Sequence, residues 1–179
     1  MNNMSSPLAF IFDMDGTIVR NHENHLNAWK LFCQNHHIAI TEEELLAVFG
    51  GKNEDILQKV FVHKLSQKEL RQFEEEKEGL YRGLYKPYIK EVEGLSDLLK
   101  NLFIAQIPAA LATSAPTSNV DMVIDALDIR KYFSCIIDAT MVTHGKPHPE
   151  IFLKVAECLR EKPQNCLVFE DSRVGIERQ

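Results

Sequence analysis

The chain has 179 residues, of which 45% are hydrophobic and 26% charged, and its formal net charge is −6. These values are ordinary for a globular protein of one domain, or of one domain with a small insertion, and they exclude disordered, collagen-like and coiled-coil proteins. The mild acidity also argues against a protein that binds nucleic acid through bulk positive charge.

The sequence contains no signal for a membrane or for secretion. No apolar run approaches the roughly 20 residues that span a bilayer, and the first ten residues lack the basic and apolar regions of a signal peptide. The cysteines lie far apart and form no CxxC pair, which is typical of reduced core thiols. We therefore expect a cytoplasmic protein with no membrane partner and no nucleic-acid partner.

The first predicted element is a strand over residues 8–12, followed by a block of helices that ends near Tyr85. Residues 8–12 are apolar without polar alternation, as in a strand that is buried on both faces. Thr41 and Ser66 each stand three residues before a glutamate, so both predict capping boxes that open helices. The charged stretch 72–78 is interpreted as a solvated helix face.

Strands and helices alternate from residue 95 onward. The predicted helices cover 95–102, 118–127 and 149–159, and the predicted strands cover 108–112, 135–137 and 166–169. Such alternation predicts an α/β fold with a parallel sheet and right-handed crossovers. We expect a Rossmann-like catalytic core over residues 1–19 and 90–179, with a helical cap inserted over 20–89.

Polar residues follow each predicted strand end or stand in the loop after it, at the edge where open α/β sheets bind ligands. They are Asp13 and Asp15, Thr113 and Ser114, Lys146, and Glu170 and Asp171. Carboxylates from two strands can share a Mg²⁺ ion, while a lysine and a hydroxyl can hold phosphate oxygens. An aspartate can act as nucleophile, and a second aspartate can move the proton. Gly16 would allow a sharp turn and a close approach of the backbone to a phosphate.

Each of these residues also has an ordinary structural interpretation. Residues 13–17 would suit a strand followed by an Asp-Gly turn. Thr113 would suit a turn or a helix cap, Lys146 a solvated surface, and the pair Glu170-Asp171 the cap of a following helix. The catalytic interpretation is favoured because all four groups occur in order, each after a strand.

The motifs that carry these residues resemble those of the haloacid dehalogenase-like hydrolase superfamily, in the branch with a helical cap. The matching stretches are FIFDMDGTIV (10–19), ALATS (110–114), GKPHPEIFL (145–153) and VFEDSRVGIE (168–177). The resemblance implies Asp13 as nucleophile, Asp15 as general acid/base, and Thr113 and Lys146 as phosphate ligands. It also implies a Mg²⁺ ion held by Asp13, the Asp15 backbone carbonyl and Asp171, with Glu170 close by.

Within the predicted cap, the stretch HLNAW (25–29) resembles the corresponding stretch of beta-phosphoglucomutase and its phosphatase relatives. There the histidine that matches His25 lies near the nucleophile loop, although an ordinary helix histidine would fit the same position. Residues 49–54 resemble the loop that reaches the substrate, and Lys52 and Asn53 are its candidate binding residues. The mutase carries an arginine where Asn53 stands, and a lysine beside it does not replace a bidentate guanidinium. This difference favours a phosphatase.

We therefore predict a Mg²⁺-dependent phosphatase of a small phosphorylated metabolite that works through an aspartyl phosphate. A phosphosugar mutase and a catalytically impaired member of the family remain alternatives. A phospho-accepting receiver is disfavoured because its acceptor lies on a middle strand and it carries no cap. Family members usually continue beyond the point that matches Gln179, so we expect a core truncated at its C-terminal side and a monomer or weak dimer.

Overall fold

The computed structural model describes residues 9–48 and 53–172. The chain divides into two compact units. Residues 21–88 form one of them, and the segments that precede and follow them form the other. In the part of the chain so described, no helix combines the length and the apolarity needed to cross a bilayer.

The α/β unit contains a parallel sheet with strand order β3-β2-β1-β4 among the described residues. The strands are β1 (Ala9–Phe12), β2 (Ala109–Ala112), β3 (Phe133–Ile137) and β4 (Cys166–Phe169). In the centre, Ile11 pairs with Ala110 on one side and with Val168 on the other. Three of the four residues of β1 are buried, so both faces of the strand are covered. This burial explains its continuous apolar sequence. The predicted α/β class with a parallel sheet is confirmed.

Among the residues that the structure describes, three helices accompany the sheet: α5 (Leu95–Ile104), α6 (Thr117–Ala126) and α7 (Glu150–Leu159). Helix α7 packs against β1, β2 and β3. Its residues Ile151, Phe152 and Val155 share a buried cluster with Ile11 and Ala110. The apolar positions of α7 recur at helical spacing, so one face of the helix covers the sheet.

Outside residues 49–52, the helical unit contains α1 (His22–Asn35), α2 (Glu42–Val48), α3 (Asn53–Val60) and α4 (Gln67–Tyr85), with a short 3₁₀ helix at Lys86–Tyr88. Its core contains Trp29, Phe32, Leu45, Ile56 and Leu57, all almost fully buried.

Both predicted capping boxes are present in this unit. At the start of α4, Ser66 Oγ accepts the Glu69 N–H at 3.3 Å, and Glu69 Oε2 accepts the Ser66 N–H at 2.8 Å. Thr41 and Glu44 make the same exchange ahead of α2, at 3.2 and 2.8 Å. The reciprocal bonds satisfy backbone donors that have no partner within a first helical turn.

The expectation of reduced thiols is wrong for two of the cysteines. Cys135 on β3 and Cys158 on α7 form a disulfide, with their Cα atoms 6.3 Å apart, whereas Cys33 and Cys166 are free thiols. Their separation of 23 residues gives no hint of the bond, because the packing of α7 on β3 brings them together. A cytoplasmic location stays a prediction.

Candidate active site

A tight turn follows β1 and carries the first two candidate residues. The Asp13 N–H donates to the Phe169 carbonyl at 2.9 Å, which continues the pairing with β4. The Met14 carbonyl then accepts the N–H groups of Ile18 and Val19, at 2.8 and 3.2 Å. Gly16 lies within this turn at φ +85°, a conformation that a side chain strongly disfavours.

Lys146 joins two buried carboxylates at the carboxyl ends of β1 and β4. Its Nζ lies 2.7 Å from Asp13 Oδ1 and 2.6 Å from Glu170 Oε2. It also donates to the Ala112 carbonyl at the end of β2, at 3.3 Å. The side chains of Lys146 and Asp13 are each 8% exposed, and that of Glu170 is 2% exposed. The structure thus brings three of the predicted residues together, and Lys146 is not a solvated surface lysine.

The protonation of this cluster reflects burial and mutual charge. Burial raises the pKa of Asp13 to about 7, although the Lys146 ammonium opposes this rise. Burial also acts against the charged forms of Lys146 and Glu170. The attraction of Lys146 to Asp13 and to Glu170 outweighs it, so the pKa of Lys146 is raised and that of Glu170 is lowered. Ser172 contributes to the effect on Glu170, since its N–H and hydroxyl donate to Oε1 at 3.0 and 2.6 Å.

The same edge offers an oxygen-rich set of metal ligands. Asp13, Glu170 and Asp171 each have a carboxylate oxygen within 4.8 Å of the others. Asp171 is exposed while Asp13 is buried, so the cluster has a side that is open to solvent. Several carboxylate oxygens at this spacing fit a hard divalent cation such as Mg²⁺.

Thr113 and Ser114 follow β2 at the same edge. Thr113 is buried, and its N–H donates to the Ile137 carbonyl at 3.1 Å. Its Oγ1 accepts the Ala115 N–H at 3.1 Å, so the turn interpretation is confirmed. A hydroxyl that accepts one hydrogen bond keeps its own hydrogen for donation, which leaves the phosphate interpretation compatible. Ser114 is exposed, and Asp15, in the turn after β1, is half-buried.

Two further candidates lie in the helical unit. The His25 ring stacks on Tyr81 with centroids 3.7 Å apart, and its Nδ1 lies 3.0 Å from Lys77 Nζ. Asn53 begins α3 and donates from Nδ2 to Glu78 Oε1 at 2.7 Å. Lys52, the remaining candidate, lies outside the described residues.

The interpretation of residues 72–78 as a solvated face is wrong at Lys77 and Glu78. Their side chains are 3% and 6% exposed and form an ion pair at 2.7 Å. Burial opposes the ionised form of Glu78, but Lys77 holds its pKa below the ordinary value. One signal was available, because Lys77 stands seven residues after Leu70 and four before Tyr81, in the buried stripe of α4.

Two acidic residues near the site were missed by sequence reasoning. Asp138 follows β3, is buried, and accepts hydrogen bonds from the Thr117 hydroxyl at 2.6 Å and the Thr140 N–H at 2.8 Å. Glu150 accepts the N–H groups of Thr143 and His144 at 3.0 and 2.8 Å. Asp138 comes directly after a strand, as Asp13 does, so its position was a usable signal.

Sequence comparison relates most of the chain to a known family of enzymes. A profile of the haloacid dehalogenase-like hydrolase family matches residues 7–177. A phosphorylated carbohydrates phosphatase from Thermotoga maritima is 30% identical, over 94% of this chain and 78% of its own length. A beta-phosphoglucomutase from Bacillus subtilis is also 30% identical, over 94% of this chain and 76% of its own length.

Structural comparison leads to the same family. A hydrolase of family IA, variant 3, from Entamoeba histolytica superposes with a TM-score of 0.88 at 29% identity, covering 95% of this chain and 78% of that one. A beta-phosphoglucomutase from Clostridium difficile gives 0.82 at 30% identity, with the same coverage. The predicted enzyme class is confirmed. The chain belongs to the haloacid dehalogenase-like hydrolase family.

Proposed function

We propose that this hydrolase is a phosphatase that removes phosphate from a small phosphorylated metabolite through an aspartyl phosphate on Asp13. The observation that carries the proposal is the buried ammonium of Lys146 between Asp13 and Glu170. A cation fixed beside a candidate nucleophile at the carboxyl edge of a parallel sheet suits the binding of a phosphate group.

The proposed reaction has two displacements. Asp13 Oδ attacks phosphorus, and the bond from phosphorus to the leaving oxygen breaks as Asp15 donates a proton to that oxygen. A water molecule then attacks the aspartyl phosphate and gives a proton to Asp15, while the bond between Asp13 and phosphorus breaks. Splitting the hydrolysis in this way replaces one difficult step with two easier ones.

The other residues at this edge would hold the phosphoryl group. Lys146 would contribute a positive charge, Thr113 and Ser114 hydroxyl donors, and Gly16 a backbone without a side chain near the phosphate. The positive φ of Gly16 and the burial of Thr113 support these assignments.

Asp13, Glu170, Asp171 and the Asp15 carbonyl would hold a Mg²⁺ ion. When bound, the ion would reduce the repulsion between a phosphate dianion and the carboxylates. The spacing of the three carboxylates supports this assignment. The raised pKa of Asp13 supports it too, because an added cation would favour the ionised form that a nucleophile requires.

We further propose that the helical unit acts as a cap, in which His25, Lys52 and Asn53 select the substrate. The substrate class is suggested by relatives that are named for phosphorylated carbohydrates and for fructose-1-phosphate, the latter from Escherichia coli at 27% identity. Such compounds combine a phosphate with several hydroxyl groups, which polar side chains of a cap can bind.

A phosphosugar mutase is the second candidate, since beta-phosphoglucomutases are among the relatives at 30% identity. In that reaction Asp13 would return its phosphoryl group to another hydroxyl of the sugar. Asn53 counts against it, because its amide already donates to Glu78 and supplies no bidentate cation. A requirement for a sugar bisphosphate primer would identify the mutase.

The test is phosphate release from a panel of sugar phosphates, phosphoglycolate, nucleotides and an aryl phosphate, with Mg²⁺ or with EDTA. We expect Mg²⁺-dependent release that Asp13→Asn abolishes and that Asp97→Asn, an exposed control in the same unit, retains. Release that survives in Asp13→Asn would contradict the nucleophile. Failure of the folded wild type to act on any substrate, with or without a bisphosphate primer, would contradict both candidates.

A further inference from the structure

A second cluster of metal-ligating side chains lies on the segment that carries Lys146. His144, His148 and Glu150 each offer a ligand atom within 4.8 Å of the others. The two imidazole rings are 4.6 Å apart between centroids, and His144 Nδ1 lies 3.0 Å from Glu150 Oε2. The His144 side chain is 63% exposed, so an ion can reach the cluster from solvent.

Glu150 is held in place as an anion. Its carboxylate accepts the backbone N–H groups of Thr143 and His144, and Lys154 Nζ lies 3.0 Å from Oε1. These donors hold the pKa of Glu150 well below its usual range. A metal ligand must be deprotonated and ordered before it binds. Because Glu150 is already ionised and fixed, little free energy is needed to make it a ligand.

The spacing of the donor atoms is close to what a metal requires. Two ligands at about 2.0–2.1 Å from a tetrahedral ion are about 3.3–3.4 Å apart. The distance of 3.0 Å between His144 Nδ1 and Glu150 Oε2 therefore needs only a small expansion, in which the ion replaces their shared proton. His148 must give up the 3.2 Å hydrogen bond that its Nδ1 accepts from the Glu150 N–H, or turn its other nitrogen inward. Its exposure leaves room for this rotation.

The donor set selects the kind of ion. Two imidazole nitrogens and one carboxylate oxygen suit Zn²⁺ and neighbouring transition metals, whereas Mg²⁺ prefers oxygen ligands alone. The set differs in this respect from the oxygen cluster of Asp13, Glu170 and Asp171. We propose that His144, His148 and Glu150 form a second metal site, which binds a borderline transition-metal ion such as Zn²⁺ with water at the remaining position.

The position of this site links it to Lys146 through the backbone. Its ligands stand two residues before Lys146 and two and four residues after it. An ion that joins them closes a short loop around Lys146 and restricts the movements of that segment. The proposal does not depend on the phosphatase assignment, because the binding of the ion can be measured without any substrate.

The test is a titration of tag-free, folded protein with Zn²⁺ in the presence of excess Mg²⁺. The titration is monitored by calorimetry and by two-dimensional NMR of the histidine ring nitrogens. We expect one Zn²⁺ ion per chain, with the ring signals of His144 and His148 displaced. The double variant His144→Ala/His148→Ala should bind at least about 100-fold more weakly, since losing a group that merely supports a ligand already costs 10–100-fold. His63→Ala and Cys166→Ser, which remove an exposed imidazole and a free thiol elsewhere, should bind as the wild type does.

Three results would overturn the proposal. The first is the absence of Zn²⁺ binding to the wild type in excess Mg²⁺. The second is unchanged binding by the double variant, once its circular dichroism has shown that it is folded. The third is displacement of the bound Zn²⁺ by Mg²⁺, which would assign the ion to the oxygen cluster at Asp13.

Discussion

Replacing Asp13 with asparagine should stabilise the metal-free protein while it removes the proposed nucleophile. Burial places the pKa of Asp13 near 7, against an ordinary value of 3.8. An aspartate with a raised pKa binds its proton more tightly in the folded chain, so the ionised form destabilises the fold. The pKa of Asp13 in the folded chain lies about three pH units above its ordinary value. Above pH 7, this difference lowers the free energy of unfolding by up to about 4 kcal/mol.

The sign of the pH dependence follows from the same values. This loss of stability is fully present above pH 7, where Asp13 of the folded chain is ionised. It declines as the pH falls through about 7 and disappears near 3.8, the ordinary pKa of an aspartate. Asparagine is neutral throughout, and Lys146 keeps Glu170 as a buried anionic partner in the variant. The free energy of unfolding of Asp13→Asn should therefore exceed that of the wild type by up to about 4 kcal/mol at pH 8 and by very little near pH 4.

The assay is urea unfolding in EDTA from pH 4.5 to 8.5, followed by far-ultraviolet circular dichroism. Hydrogen exchange of peptides from β1 and β2 would assign the transition to the α/β unit. Asp97→Asn is the matched control and should change the free energy of unfolding by only a few tenths of a kcal/mol. Added Mg²⁺ should narrow the gap, since an ion that binds the wild-type carboxylates stabilises the folded state. An asparagine variant no more stable than the wild type at pH 8, or a gain independent of pH, would refute the reasoning.

Three further predictions follow from the described contacts. Lys146→Met removes the buried cation between Asp13 and Glu170 and should lower the free energy of unfolding in EDTA by about 3–5 kcal/mol. Urea unfolding measures this loss, and an unchanged midpoint would contradict the buried ion pairs. Leu57→Ala leaves a cavity in the helical core and should cost about 3–5 kcal/mol. Trp29 fluorescence, from the chain's single tryptophan, would report that loss, and a cost below about 1 kcal/mol would mean that the core is not closely packed there. Glu150→Gln weakens the acceptor that holds the segment before Lys146, so the KM for a phosphorylated substrate should rise several-fold with a smaller change in kcat. A fall in kcat as large as the rise in KM, or no change in either constant, would exclude a positioning role for Glu150.

The parts of the molecule that sequence predicts well are those that depend on local pattern. The apolar run of β1 predicts a strand buried on both faces, and the polar residue that follows it lies at the sheet edge for the same local reason. The capping box at Ser66 depends on two residues three positions apart, which any reader of the sequence can see. In each case the physical cause acts within one element.

The parts that sequence misses depend on what one element packs against. Charge alone placed Lys77 and Glu78 in solvent, yet each satisfies the other inside the helical unit. Cys135 and Cys158 pair because α7 crosses β3, a contact that their spacing does not encode. The role of Glu150 likewise arises from backbone donors that face it only after the segment before α7 has folded back.

The strand order also has a consequence for the synthesis of the chain. Of the four described strands, β1 is made before the others, because β2 follows about 100 residues later and β4 more than 150 residues later. At about 5–20 residues per second, the apolar strand waits roughly 5–20 s on the ribosome for its first partner. All of the helical unit emerges during that interval and is available to fold. Because unpaired strands are prone to aggregate, the need for chaperones during translation should concentrate on β1 and the residues that follow it.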